Sequence, residues 1–389
     1  MMEMDKKINT HTLLRGLLLC GMISWLGLAW SGCSRLGSQT TEKENMATAI
    51  YPITSSLILT QGRLRPGDES MEMIWSGAQI HFTAEADSIW LRATTSPERL
   101  GLGPRFDIFL TVVIDGQEFY SVLIPNGKSR HLIAAGLGDG PHEVTLFKRT
   151  EALTGSIVVK GIELSPRGQL TEPPSLPARS IQFIGNSITC GYGNLGDDQT
   201  CPFSPATEDG FQAYGAIAAR ELRVRYTAVC YSGRGVWRNY DGSKDGILYD
   251  LYQRYHPMDE EASYPFDEPS PDVVAINLGT NDFAKGIPPA DDYKGAFRKL
   301  IALVKEHHPN AALFLLGSPM LEGERLTLQR TYLSELVEEL QAEGMEQVYH
   351  FDLTTQGPLG YGCSWHPNLA QHELNGQELA AFIREKMGW

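Results

Sequence analysis

Basic residues are in short supply in this chain. Lysine and arginine total 33 against 47 aspartates and glutamates, the formal charge is −14, and no basic run follows the first few residues. Phosphate binding needs clustered cations, so nucleic acid is excluded as a partner. Cysteine is also sparse, with six in 389 residues, and the spacings match no metal-ligand pattern, so no metal is expected. The only long apolar run lies near the N-terminus and is short for a membrane span. Residues from about 50 to 168 contain no stretch with a helical period. What remains, 42% hydrophobic and 21% charged residues, is the composition of a globular protein with room for two cores.

The N-terminal run, "LLLCGMISWLGLAW", follows Lys6, Lys7 and Arg15 and ends in "SGCS". A basic start, an apolar middle and small residues before a cut describe a secretory signal. Cys33, directly after Ser31 and Gly32, resembles the acylated cysteine of a bacterial lipobox, although Trp30 stands where a smaller or aliphatic residue is usual. The expectation is an exported lipoprotein, periplasmic or held at the outer membrane, with the lipid at Cys33 as its only membrane contact. Export permits disulfides among Cys190, Cys201, Cys230 and Cys363. A Cys190–Cys201 bridge would close a short loop, and buried free thiols are the alternative.

Residues 1–33 therefore read as a signal segment and 34–48, polar and unpatterned, as a tether. Between 49 and 168, segments such as "AQIHFTA", "SIWLRAT", "HEVTLFKRT" and "GSIVVKGIEL" alternate or run apolar. Asp115-Gly116 and Asp139-Gly140 are tight-turn signals. The pattern predicts an antiparallel β-sandwich, jelly-roll-like in kind. A proline- and serine-rich linker, 169–179, precedes a region at 180–389 in which strands and helices alternate. The strands are "IQFIG", "YTAVCYS", "DVVAINLG", "AALFLLGS" and "QVYHFDL"; Phe297, Leu300, Ile301 and Val304, and Leu333, Leu336, Val337 and Leu340, recur at helical spacing. Short apolar strands separated by such helices predict an α/β domain with a doubly wound parallel sheet.

Chemistry in such sheets gathers at the carboxyl ends of the strands. The first strand ends in Gly185-Asn186-Ser187, the second in "SGRGVWRN", the third in "GTND"; "GYGCSWHPN" follows the last strand. A serine, glycine backbone donors, an asparagine and a histidine are what acyl transfer requires. Ser187 would be the nucleophile and His366 the base. The N–H groups of Ser187 and Gly235, with the Asn281 amide, would hold the oxyanion. Gly233 is the fallback for Gly235. Trp365, Tyr192 and Trp237 are candidates for an aromatic wall or for core packing, and Asp282 for capping or bracing its loop.

In that order, "GNSIT", "SGRG", "GTND" and "WHP" resemble the four blocks of the SGNH (GDSL-type) hydrolases. The resemblance to carbohydrate esterase family 2 is closer, carried also by "HEVTLFKRTE", "FIGNSITCGYGN" and "SGRGVWRN". It implies a β-sandwich before an SGNH domain and removal of acetyl groups from plant polysaccharides such as xylan and glucomannan without a cofactor. An acetylated polysaccharide or oligosaccharide would be the partner. Other SGNH substrates (lipids, thioesters, acetylated peptidoglycan) and a sugar-binding lipoprotein with a decayed site are the alternatives. One departure matters. Where the superfamily places an aspartate three residues before the histidine, position 363 is cysteine. A Ser–His dyad with a backbone carbonyl on the imidazole is the favoured reading, and Asp352 the weaker candidate for a third member.

Overall fold

The computed structural model describes residues 48–96, 107–138 and 140–389. The signal segment, Cys33, the tether up to residue 47 and Asp139 lie outside the described residues. Among the described residues the first region has twelve strands: β1 Ala49–Pro52, β2 Leu59–Gln61, β3 Leu64–Gly67, β4 Ser70–Met73, β5 Gln79–Glu85, β6 Ser88–Ser96, β7 Ile108–Ile114, β8 Glu118–Ile124, β9 His131–Ala135, β10 His142–Lys148, β11 Ser156–Leu164 and β12 Gln169–Thr171, the last lying inside the stretch read as a linker, where it pairs with β5. One sheet runs β3-β4-β11-β6-β9 with β1 on β11, the other β12-β5-β10-β7-β8 with β2 on β5. All pairings described in both sheets are antiparallel.

Period-two patterning explains the sandwich: on β6, Ile89, Leu91 and Ala93 turn inward while Trp90 and Arg92 are half-exposed. They meet Phe82, Leu110, Val112, Val144 and Leu146 of the facing sheet. The β7–β8 hairpin closes through Asp115 and Gly116, both at positive φ (53° and 67°). Residues 115–117 join the strands, and the turn closed by the Gln117 N–H on the Ile114 carbonyl has that conformation at both central positions, which is why Asp-Gly signalled it.

The second region carries a five-stranded parallel sheet, β13 Ser180–Gly185, β14 Arg225–Cys230, β15 Val273–Asn277, β16 Ala312–Gly317 and β17 Val348–Asp352, in the order β14-β13-β15-β16-β17. Its helices are α1 Ser187–Cys190, α2 Tyr214–Leu222, α3 Leu248–Tyr252, α4 Ala290–His307, α5 Gly323–Ala342 and α6 Leu369–Met387. Alternate strand residues serve opposite faces. Ile184, Val274, Ile276, Leu313 and Leu315 pack with the apolar stripes of α4 and α5, and Phe183, Ala275, Phe314 and Leu316 pack with α2 and α6. Both helical stripes read from sequence are buried. With this strand order the winding reverses beside β13, which opens a crevice at the carboxyl ends of β13, β14 and β15.

Sandwich and sheet share core and hydrogen bonds. Ile74, Trp75 and Ala152 join the cluster over α4, and Phe147 joins that over α2. Arg149 reaches from the sandwich to the carbonyls of Glu208 (2.6 Å), Pro205 (3.1 Å) and Ala206 (2.6 Å). Arg63 lies under Tyr252 and Tyr264, 4.5 and 4.0 Å from the ring centres, and donates to the Tyr252 carbonyl.

Phe314 is fully buried between Tyr349 and Phe382. Phe314→Ala is expected to lower unfolding stability by about 3–5 kcal/mol, measured by denaturant titration; a change below about 1 kcal/mol would contradict this packing.

Candidate active site

Strand β13 delivers Ser187 by a sharp strand-to-helix turn. Gly185 permits it, because a β-carbon there would meet Thr189 Oγ1 at 1.9 Å. Asn186 caps α1, its Oδ1 accepting from the Ile188 N–H at 3.1 Å. Ser187 opens α1, so its own N–H has no partner within the helix. Its side chain is buried, and its Oγ lies 2.9 Å from His366 Nε2.

The imidazole is oriented by main chain. His366 Nδ1 lies 2.9 Å from the Ser364 carbonyl. A carbonyl can only accept, so Nδ1 carries the proton and Nε2 presents its lone pair to Ser187. Asp352 does not serve here: it pairs with Arg330 at 3.2 Å and His350 at 3.1 Å. The loop holding that carbonyl is unusual. Ser364 and Trp365 both adopt positive φ, 53° and 62°, a conformation that costs L-residues about 1–3 kcal/mol each. The surrounding bonds hold it in place: Cys363 N–H to the Gly193 carbonyl (2.9 Å), Ser364 N–H to the Cys201 carbonyl (3.0 Å) and Gly362 N–H to the His366 carbonyl (2.8 Å). A Cys201–Cys363 disulfide closes the clamp. The Cys190–Cys201 bridge considered from sequence is not formed, because Cys190 pairs with Cys230 instead. That bridge joins the end of α1, the turn of helix that follows β13, to the end of β14, and β13 and β14 are paired neighbours in the sheet. Four cysteines allow three pairings, so sequence could not choose among them.

The second and third blocks form one braced unit. The buried Asp282 carboxylate accepts from the N–H groups of Val236 (3.2 Å), Trp237 (2.7 Å) and Arg238 (3.0 Å), so it braces the second block's loop and not only its own as expected. Burial raises its pKa against the pull of these donors. Asn281 spends one amide hydrogen on the Arg234 carbonyl at 2.7 Å and keeps a second. Gly235 has a structural reason to be glycine: a β-carbon would meet the Arg238 carbonyl at 2.0 Å and Asp282 at 2.5 Å, and its N–H points to Asn239 Oδ1 at 3.4 Å. Gly233 differs. Its φ is +79°, nothing lies within 4 Å of the place a β-carbon would take, and its N–H makes no hydrogen bond among the described residues.

The three aromatic candidates part company. Tyr192 stacks on Phe203 at 3.9 Å and leans on His366 at 4.4 Å, forming a wall for the imidazole. Trp237 packs on the core beneath Lys244, 4.3 Å away. Both rings are thus taken up by protein neighbours. Trp365 is 57% exposed and stands beside His366, edge-on to Tyr361 at 5.3 Å.

A doubly wound sheet presenting these four blocks at its strand ends is a GDSL-type, or SGNH, hydrolase fold. Residues 60–174 match the model described as carbohydrate esterase 2 N-terminal, and residues 183–374 that of the GDSL-like lipase/acylhydrolase family. A solved family two carbohydrate esterase from Clostridium thermocellum, in complex with cellohexaose, superposes with TM-score 0.79 at 32% identity, covering 85% of this chain and 99% of that one. This chain belongs to carbohydrate esterase family 2. It is 31% identical over 354 residues to the cellulase/esterase CelE of Acetivibrio thermocellus, 90% of this chain but only 41% of CelE. An acetylxylan esterase/glucomannan deacetylase of Cellvibrio japonicus is 28% identical over 64% of this chain and 68% of its own length.

Desolvation pushes the His366 pKa down to about 4 from an ordinary 6.5, with the Ser364 and Cys363 backbone pulling slightly upward. The unfolded chain therefore binds a proton that the folded one refuses, so this contribution to stability is present above about 6.5 and is lost as pH falls toward 4. An NMR titration should show a ring resonance, absent from His366→Asn, with its midpoint near the depressed value; a midpoint at the ordinary histidine value would contradict the packing around the ring.

Proposed function

We propose that the chain is an exported carbohydrate esterase that removes O-acetyl groups from plant-type polysaccharides such as xylan and glucomannan through a Ser–His dyad. The observation that carries this reading is the Ser187 Oγ to His366 Nε2 approach of 2.9 Å, with Nδ1 pinned to a carbonyl. Ser187 Oγ attacks the acetyl carbonyl carbon as His366 Nε2 takes its proton. The carbonyl electrons move onto oxygen, and that charge falls to the N–H of Ser187, the N–H of Gly233 and the free hydrogen of Asn281. We assign the second donor to Gly233, whose N–H is unused, in place of Gly235. Collapse breaks the bond to the sugar oxygen, which leaves with the proton from His366. Water then attacks the acetyl-serine, giving its proton to His366; acetate departs and Ser187 regains its hydrogen.

Among the described residues no carboxylate bonds the imidazole that becomes charged in each step. The Ser364 carbonyl provides a neutral acceptor, roughly half as strong as a charge-assisted one. This favours an active esterase over a sugar-binding module that has lost its chemistry, since the base already has an orienting partner. The polysaccharide assignment draws on the names of the relatives above and on the exposed Trp365, whose ring suits the apolar face of a sugar. Export with acylation of Cys33, at the periplasm or outer membrane, is part of the proposal. Two disulfides fit an oxidising compartment.

Acetate release from acetylated xylan and glucomannan tests the proposal. Ser187→Ala is expected to abolish turnover, and Asn281→Ala to lower kcat by about 10²–10³, as for loss of one oxyanion donor. The wild-type rate should rise as His366 deprotonates in the acid range and stay level through neutrality. A wild-type protein that binds these glycans without releasing acetate would overturn the assignment.

A further inference from the structure

The loop assigned to the oxyanion is gripped from outside the hydrolase domain. Glu151, three residues beyond the end of β10, belongs to the sandwich and is fully buried. Its Oε2 accepts from the Ser232 N–H at 2.8 Å, and its Oε1 accepts from the Ser232 hydroxyl. Both hydrogen-bond donors of Ser232 thus end on one carboxylate. Ser232 immediately precedes Gly233, whose peptide N–H is set by how residue 232 is held. Downstream, the same loop is braced by Asn281 and Asp282 of its own domain, from Arg234 to Arg238. Upstream, the grip on Ser232 comes from Glu151.

Glu151 is itself immobilised. Its N–H donates to Glu208 Oε2 at 3.0 Å, and its carbonyl accepts from Lys148 Nζ at 3.2 Å, which also reaches the Thr150 carbonyl at 2.7 Å. Lys148 and Glu208 are both fully buried. Desolvation, then the neighbouring Glu151, raises the Glu208 pKa; desolvation also raises that of Glu151 and lowers that of Lys148 to about 7. A group held this way acts as a fixed strut rather than a hinge.

We propose that Glu151 is a positioning residue for the esterase reaction: through Ser232 it fixes the Gly233 N–H that receives the oxyanion, so that the sandwich contributes to the catalytic apparatus of the hydrolase domain. This rests on the esterase reading above. An oxyanion donor works only when preorganised where charge develops, so a freed loop should cost transition-state stabilisation and leave ground-state binding alone.

The test uses the whole chain and compares Glu151→Ala, Glu151→Gln and Ser232→Ala with wild type. Readouts are steady-state acetate release, affinity for methylboronic acid as a probe of the tetrahedral adduct, and thermal unfolding. Glu151→Ala is expected to lower kcat by about 10²–10³, as loss of an oxyanion donor does, with KM within about twofold and boronate affinity falling in parallel. Glutamine can still accept from the Ser232 N–H and donate to its hydroxyl, so Glu151→Gln should restore kcat to within about tenfold of wild type. A folded Glu151→Ala with wild-type kcat and boronate affinity overturns the inference and spares the esterase reading. If Glu151→Ala does not fold, Ser232→Ala decides: a parallel loss of about tenfold in kcat and boronate affinity supports the strut, and wild-type values for both overturn it. A wild-type protein without esterase activity overturns both readings.

Discussion

The arrangement at Ser187 depends on one hydrogen bond, from His366 Nδ1 to the Ser364 carbonyl. The Ser364 oxygen fixes the tautomer and the plane of His366, and it can do so only because Ser364 and Trp365 sit in the left-handed region. Such a turn does not persist by itself. Here it is enforced from both sides, by the Gly193 and Cys201 carbonyls that accept from the loop and by the Cys201–Cys363 disulfide. The cysteine that occupies the place of the missing acid thus fixes the loop covalently. The His366 ring keeps a fixed orientation, and among the described residues no carboxylate bonds it. The Tyr192 wall and the packed surroundings also favour the neutral imidazole, consistent with a resting histidine ready to accept a proton across the neutral range.

A second constraint follows from how the sandwich meets the sheet. The sandwich buries Ile74, Trp75, Ala152 and Phe147 in the hydrolase cores. The segment after β10 then passes through the junction as Lys148-Arg149-Thr150-Glu151, all buried. Each charged member is spoken for: Arg149 fastens the 205–208 segment, Lys148 and Glu208 enclose Glu151, and Glu151 holds Ser232. Charges stay in such an interior only when hydrogen-bonded and paired. The junction is therefore specific in register, and the register it specifies includes the loop at the end of β14.

Much of the architecture was legible because it rests on periodicity. Alternation along β6 and the 3.6-residue stripes of α4 and α5 are properties of local geometry, which sequence records directly. The four blocks were legible because they occur in order at strand ends, where an α/β sheet gathers its chemistry. The choice between Gly233 and Gly235 was not. Both are glycines in one short loop, and they are distinguished only by what surrounds them: Gly235 is packed against Asp282 and Arg238, whereas Gly233 is open. Trp237 and Tyr192 likewise looked equal to Trp365 until their neighbours were known.

By itself the sequence determined the class of the strongly periodic elements, the faces of them that are buried, the two-part organisation and the chemical types at the crevice, since all of these depend on residues near one another along the chain; the short strand β12 inside the stretch read as a linker was not among them. Tertiary structure alone decided which cysteines join, which carbonyl holds His366 and that a glutamate of the sandwich reaches Ser232. The reason is one of distance: Cys201 and Cys363 are separated by 162 residues and Glu151 and Ser232 by 81, and contacts across such separations are fixed by how the sheets pack, which no local pattern encodes.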